Sequence, residues 1–485
     1  MINVRSTLSL ALMLASCSAS QVDFNCVGDA PFCEIVEAVG QSRPLASGVR
    51  VMHVELNQGV AIELSDEGVA TETLTRAVSG RKSLVRVFAE HLPNFKERPV
   101  AARIYVFKDD VLVGAGQSEN DPSLPSDAAV FGSTFNIYLP PQMLPEGDLE
   151  WSVELVESGD KHVRGFTDDA VSPAEGRGAF TATYTGASTK IYIVPIENAD
   201  TVGLSDEYLT SLKTHLFAWY PVNDLELIIG EPYAWPTSIQ GAGHQSSLLQ
   251  AMGEVREERN IPGDQYVYGL HGGYGGGLSM LAGSPESAGQ RISVGGWGPG
   301  VVGHEVGHAH GRRHANCPLP GEPGAPAGQD ENYPHERGSI GVWGWQIGTE
   351  VLFDPSEYTD YMSYCGPGWT SDYTWRGLLS RNRGIHLAYY GDQAELRQRQ
   401  FRELWFHPDG SVTWGSVRSW SDDSPIGWRE ATLFDHAGQE LGSVEGGWLG
   451  FNHVEGGVML LPAATDVVAV DLTRLRMVEI EAPGQ

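Results

Sequence analysis

Eleven consecutive residues constrain this chain more than any other feature: His304, Glu305, Val306, Gly307, His308, Ala309, His310, Gly311, Arg312, Arg313 and His314, which spell HExxHxxGxxH. On a helix, residues four apart lie about 40° apart around the axis, so His304 and His308 share a face and can hold one metal ion. Glu305 stands beside them. Gly311 can take a positive φ at no steric cost, stop the helix, and turn the chain so that His314 reaches the same ion from a third direction. Three neutral imidazoles with an open fourth position describe a catalytic zinc site, whereas structural zinc is closed by four protein ligands. His310 lies about 200° round the helix from His308 and is expected to be a packed or solvated bystander. A solvated helix carries a bare HExxH by accident; the long form with its glycine and third histidine is far more restrictive.

Downstream stand Asp360, Tyr361, Met362, Ser363 and Tyr364. Together, the long motif and this segment resemble the metzincin zinc endopeptidases, in which a methionine turn runs beneath the zinc-binding histidines. The resemblance covers about 190 to 390 and does not select one metzincin family. It implies a peptide-bond hydrolase with one zinc ion on His304, His308 and His314. It further implies that Met362 is a hydrophobic floor and that Tyr364 is a hydrogen-bond donor to the transition state. Glu305, next to a ligand but not itself one, is placed as general base. Two other classes stay open: a cell-surface binding lipoprotein with an inert metal domain, and a zinc hydrolase acting on a non-peptide substrate. Inert relatives usually lose the glutamate or a ligand, and this chain keeps them all.

Composition narrows the partners. Asp and Glu outnumber Lys and Arg by 62 to 32, a net charge of −30, which disfavours nucleic acid and adsorption to anionic lipid. A protein or glycoprotein substrate in an extracellular setting fits better. The N-terminus reads as an address: Arg5, then an apolar core over Leu8–Leu14, then Leu14, Ala15, Ser16 and Cys17, which resemble a bacterial lipobox. The reading is a signal peptide over 1–16, with Cys17 lipidated and the protein exported to the cell surface or outer membrane; plain secretion is the alternative. After that core no apolar run reaches 18 residues, so the membrane is met only through the anchor.

Five cysteines are odd in number. Giving Cys17 to lipid leaves a near pair, Cys26 with Cys33, and a far pair, Cys317 with Cys365, which in an oxidising compartment would bridge. The far bridge would tie the loop after His314 to the segment after Tyr364. Free buried thiols, or a latency role for Cys26 or Cys33 on the zinc, are the alternatives.

The fold expected is multidomain α+β. A tether over 17–47 precedes an all-β sandwich over 48–187, with strands at Val51–Leu56, Ser83–Ala89, Ala101–Phe107 and Thr181–Tyr184. A metzincin-like domain over 188–395 follows. Its strands are Ile191–Ile196, Leu225–Ile229 and Tyr266–Leu270. One helix shares Leu209, Leu212, Leu216 and Trp219 on a face, and a second presents Leu248, Met252 and Val255. The active-site helix begins near Gly300, and a last helix carries Trp375, Leu378 and Leu379. Gly272–Gly277 lacks the lysine of a phosphate loop and is expected to bend an edge strand near the bound peptide. Leu319–Trp345 reads as a surface loop beside the cleft. Asp330 and Glu331 can hold calcium there, a solvated acidic loop being the plainer account. Residues 396–485, with runs at Ser411–Trp414 and Asp466–Leu472, read as a small β module.

Overall fold

A computed structural model describes residues 43–118, 120, 122–159, 163–200, 203–285, 288–391, 398–421, 427–435, 440–462 and 475–480. Of its two units, Met1–Ser42 lies outside the described residues, and Arg43–Gln485 holds everything below. Cys17, Cys26, Cys33 and the run Asp466–Leu472 therefore lie outside the described residues. The molecule is a multidomain α/β protein built mostly of sheets. Among the described residues no helix is long and apolar enough to cross a membrane.

The first block is two facing sheets. One has the order Val69–Ala70, Ala61–Asp66, Val49–Asn57, Ser83–His91, Phe135–Leu139, and the other Ala77–Val78, Gly178–Thr183, Gly147–Glu157, Val100–Lys108, Val111–Gln117. In the second sheet Leu149, Trp151 and Val153 alternate with less buried neighbours, with Ile104 and Val106 also buried, while in the first the strand Ser83–His91 is buried from Ser83 to Ala89 and Leu56 is buried beside it. The block also reaches under the next one. The buried Arg81 guanidinium donates to the carbonyl oxygens of Tyr220 (2.7 Å), Val222 (2.8 Å) and Phe217 (2.6 Å), which satisfies carbonyls at a helix C-terminus.

The central sheet is β1 (Thr189–Glu197), β2 (Leu225–Ile229), β3 (Tyr266–His271), β4 (Gly277–Ser279) and β5 (Ile292–Gly296), in the order β2-β1-β3-β5-β4. All pairs are parallel except β4 with β5, which is antiparallel and leaves β4 at the edge. Parallel strands must be covered on both faces. One face packs on α1 (Asp206–Trp219), which buries Leu212, Leu216 and Trp219 beside Ile191, Ile193, Tyr266 and Tyr268. Ser205 caps this helix by accepting the backbone N–H of Tyr208. The other face packs on α2 (Ala242–Glu258) through Leu248, Met252 and Val255 against Val194, Val267 and Val294. Each fully buried leucine here contributes roughly 1.5–3 kcal/mol.

The strand β5 is absent from the sequence reading; four of its five residues are Ser, Gly or Val, too short and mixed a run to declare itself. It delivers the chain to α3 (Pro299–Ala309), which starts on proline at its first turn. The last helix, α4 (Asp372–Tyr390), buries Trp375, Leu378 and Leu379. Residues 398–480 add a six-stranded antiparallel sheet whose Phe401, Trp405, Trp420, Leu449, Val458 and Leu460 join the core on the α2 side of the central sheet.

Candidate metal centre

Both His304 and His308 project from α3, one turn apart. The helix stops at Ala309, and Gly311 takes φ +86°, where an added Cβ would lie 2.8 Å from the carbonyl oxygen of Ala282. The chain then reverses, and His314 pairs with Gln329 across an isolated bridge. The Nε2 atoms of His308 and His304 stand 3.0 Å apart, and those of His308 and His314 3.1 Å. Each ring is fixed from behind by a carbonyl oxygen facing Nδ1: Tyr361 for His304 at 2.8 Å, Arg312 for His308 at 2.6 Å, and Ala327 for His314 at 2.6 Å.

Those carbonyls decide what the site can hold. A carbonyl only accepts, so each Nδ1 carries the proton and each Nε2 turns a lone pair towards the others. Three converging lone pairs repel unless a cation lies between them. Tetrahedral zinc with bonds of about 2.0–2.1 Å places its nitrogens about 3.4 Å apart, within a few tenths of an ångström of the spacing here. The donor set therefore fits an ion of zinc's size, and the cluster of His304, His308 and His314, with His453 beside them, can hold a metal ion. Protonation does not compete at neutral pH. Burial holds His308 well below its usual range, with the neighbouring imidazoles adding to the effect, and brings His314 down to about 3. Burial also lowers His304, although the Glu305 carboxylate opposes it.

His310 is a packed bystander. It stacks on Tyr266 with ring centroids 4.0 Å apart, its Nδ1 faces the Val306 backbone carbonyl at 2.8 Å, and its Nε2 faces the side-chain amide oxygen of Asn382 at 3.2 Å.

The segment after Asp360 forms a tight turn, closed by the Ser363 N–H on the Asp360 carbonyl at 2.8 Å. The buried Asp360 carboxylate accepts from the N–H groups of Met362 (2.7 Å) and Ser371 (3.1 Å). Met362 is fully buried beneath α3, so close that a Cβ added to Gly307 would lie 2.5 Å from its sulfur. This turn runs alongside the third ligand's loop: Ala315 N–H donates to the Met362 carbonyl at 3.1 Å and Tyr364 N–H to the Cys317 carbonyl at 2.9 Å. The two strips end in a Cys317–Cys365 disulfide.

The loop 319–345 lies at the surface, most of its residues exposed or half-buried, and its Ala327 carbonyl orients His314. The expectation of a solvated acidic pair fails at one residue. Asp330 is only 6% exposed, with one carboxylate oxygen accepting the Tyr373 hydroxyl at 3.0 Å and the other the Asn332 N–H at 3.1 Å. The physical reason for this packing is that a ligand's unused nitrogen needs an acceptor, and this loop supplies it. Glu331 is exposed, and among the described residues neither acid belongs to a group able to hold an ion.

Glu305 is 2% exposed and lines a cleft of about 440 Å³ with His304, Tyr274, Gly277, Tyr364 and His453. The edge strand β4 passes so near that a Cβ on Gly277 would lie 2.4 Å from Cγ of Glu305. Tyr364 is 49% exposed; burial of its hydroxyl, and then the Glu305 charge, push its pKa up, so the hydroxyl stays protonated.

Two residues of the site escaped the sequence reading. Asn452 and His453 come from the turn between the strands Glu440–Gly450 and Gly457–Pro462 of the last sheet. His453 Nε2 lies 2.9 Å from one oxygen of Glu305 and its Nδ1 faces the Tyr364 hydroxyl, while Asn452 reaches the other Glu305 oxygen at 3.4 Å. The only signal in the sequence is a histidine and an asparagine inside a glycine-closed turn, Phe451 to Gly457, which carries no chemistry until it is placed.

No family model and no curated protein matches this chain. Among solved structures it is similar to metalloproteinase-II from Bacteroides fragilis, at 12% identity and a TM-score of 0.22, over 49% of this chain and 73% of that one. A putative β-galactosidase from Bacteroides fragilis aligns at 10% identity and a TM-score of 0.12, over 47% of this chain and 39% of that one. At these scores neither neighbour bears on fold or function.

Proposed function

We propose that this chain is a zinc-dependent endopeptidase of the metzincin type, with His304, His308 and His314 as ligands and Glu305 as general base. The observation that carries the reading is the convergence of three Nε2 lone pairs, each fixed by a carbonyl behind its ring, next to one buried carboxylate on an open cleft. A zinc ion held there would supply a Lewis acid that acidifies water and polarises the scissile carbonyl. Glu305 takes a proton from the attacking water as its oxygen bonds to the carbonyl carbon, and returns it to the amine nitrogen as the C–N bond breaks. Tyr364 keeps its proton and donates to the developing oxyanion, an interaction typically worth about 2–4 kcal/mol. The edge of β4 towards Gly277, beside Glu305, suits an extended peptide, whose carbonyl it would bring over Glu305, while the Ser279 end is closed by Asn452 and Phe451.

We further propose that the chain is exported and anchored through a lipid on Cys17. A fatty-acid probe that labels the wild type and not Cys17→Ser is the expected result, and unlabelled wild type would favour plain secretion.

The test of the main reading is a proteome-derived peptide library digested with the purified protein. Internal cleavages that stop with a chelator and return with one equivalent of zinc support it. Intact peptides with fully metallated protein would overturn it.

A further inference from the structure

The last sheet does more than flank the cleft. Its turn residue Phe451 bridges to Met280 at the end of the edge strand β4, and Asn452, 4% exposed, accepts the Ser279 N–H at 3.2 Å through its side-chain oxygen. The same asparagine donates to Glu305 at 3.4 Å. From this anchored turn His453 extends over the open side of the three ligands, its ring centroid 5.3 Å from that of His304, 5.0 Å from His308 and 4.8 Å from His314.

A histidine in this place can do one of three things: coordinate the ion as a fourth ligand, plug the site until displaced, or hold the reacting groups in position. The hydrogen bonds separate them. A carboxylate only accepts, so Nε2 of His453 donates its proton to Glu305, and Nδ1 meets the Tyr364 hydroxyl. Both nitrogens are thereby used, with no lone pair left for an ion. A releasable plug is equally hard to build here. The strands that carry the turn bury Leu449, Val458 and Leu460 in the same core as Met252 and Val294 of the central block, so withdrawal would open a shared apolar interior.

Building on the endopeptidase reading, we propose that His453 is a positioning residue supplied permanently by the C-terminal sheet. It orients the Glu305 carboxylate through Oε1 and holds the resting Tyr364 hydroxyl at Nδ1, from which the single O–H turns to the oxyanion as that charge develops, so one imidazole places both base and oxyanion donor. The catalytic unit then includes the last sheet, and the metal keeps three protein ligands.

The experiment uses the full chain loaded with cobalt(II), whose visible spectrum reports coordination, with His453→Ala and His453→Gln beside the parent. Acetohydroxamate is the probe, because it fills an open position and passes a proton to a correctly held carboxylate. In the parent, acetohydroxamate should change the spectrum. His453→Ala should bind cobalt within about threefold of the parent but acetohydroxamate roughly 10–100-fold more weakly, the usual cost of losing an outer partner at a metal site. Its kcat should fall by a similar factor with KM nearly unchanged. His453→Gln, whose amide can donate to Glu305 and accept from Tyr364, should recover most of both losses.

A tenfold loss of cobalt affinity in His453→Ala would make His453 a fourth ligand and overturn the proposal. Faster cleavage in that variant would make it a plug, and unchanged acetohydroxamate affinity would reduce it to a structural contact. Because the spectra need no turnover, failure of every variant and of the parent to cleave peptides would sink the endopeptidase reading while leaving His453 to be decided by the probe.

Discussion

Removing the Cys317–Cys365 bridge with the double variant Cys317→Ser, Cys365→Ser should harm the metal site beyond its cost to folding. The bridge closes a loop of 48 residues, for which the chain-entropy relation gives about 4 kcal/mol at 25 °C, a ceiling that structure remaining in the unfolded chain lowers. The native strips do not depend on it entirely. They are also held by Ala315 N–H on the Met362 carbonyl and Tyr364 N–H on the Cys317 carbonyl. Without the covalent tie, these two hydrogen bonds and the burial of Ala315, Cys317 and Met362 hold the segment just past His314 against the segment just past Met362. If about a third of the lost free energy, about 1.4 kcal/mol, appears as local opening of these strips, zinc binds about tenfold more weakly. The assay is competition for zinc against a chromophoric chelator, run beside urea unfolding and turnover. A variant with unchanged zinc affinity and turnover would refute the local role, and a peptide map of native protein with both thiols free would refute the bridge itself.

Gly311→Ala puts a Cβ at φ +86° within 2.8 Å of the Ala282 carbonyl. About 1–3 kcal/mol of strain should result, read as a lower urea midpoint together with weaker zinc binding, because the turn that aims His314 must shift. Parental stability and affinity would show that the turn needs no glycine. Burial on α1 against Trp219 lowers His215 to about 4. As pH falls, the unfolded chain therefore takes up this proton at about 6.5 and the folded chain only near 4, so the contribution is complete above 6.5 and is lost between those values. His215→Gln should flatten that part of the stability–pH curve measured by urea unfolding, and an unchanged slope would contradict the assignment.

The parts of the molecule legible in the sequence are those whose signal is local. Leu212, Leu216 and Trp219 fall on one face of α1 because helical period and burial coincide. The motif from His304 to His314 declares its ligands because a helix turn and a glycine stop fix three directions in eleven residues. By contrast, Ala327 and His453 act through contacts between segments that no period links. A backbone carbonyl behind His314 has no residue signature at all. His453 depends on which edge the last sheet docks against, which is set by the apolar match of Trp405, Trp420 and Leu460 with α2. Asp330 misled for a related reason: its loop looks solvated by composition, yet Tyr373 and the backbone of Asn332 satisfy its carboxylate inside.

The most direct test of the central claim separates metal binding from catalysis at the one buried carboxylate on the cleft. Zinc content and peptide turnover should be measured together for the wild type, Glu305→Ala and His314→Ala. Wild type should hold about one zinc per chain and cleave. Glu305→Ala should keep that zinc while turnover falls by at least about a hundredfold, within the range for a lost general base, and His314→Ala should lose the zinc itself. Turnover at the parental rate in Glu305→Ala, or full zinc at parental affinity in His314→Ala, would contradict the account.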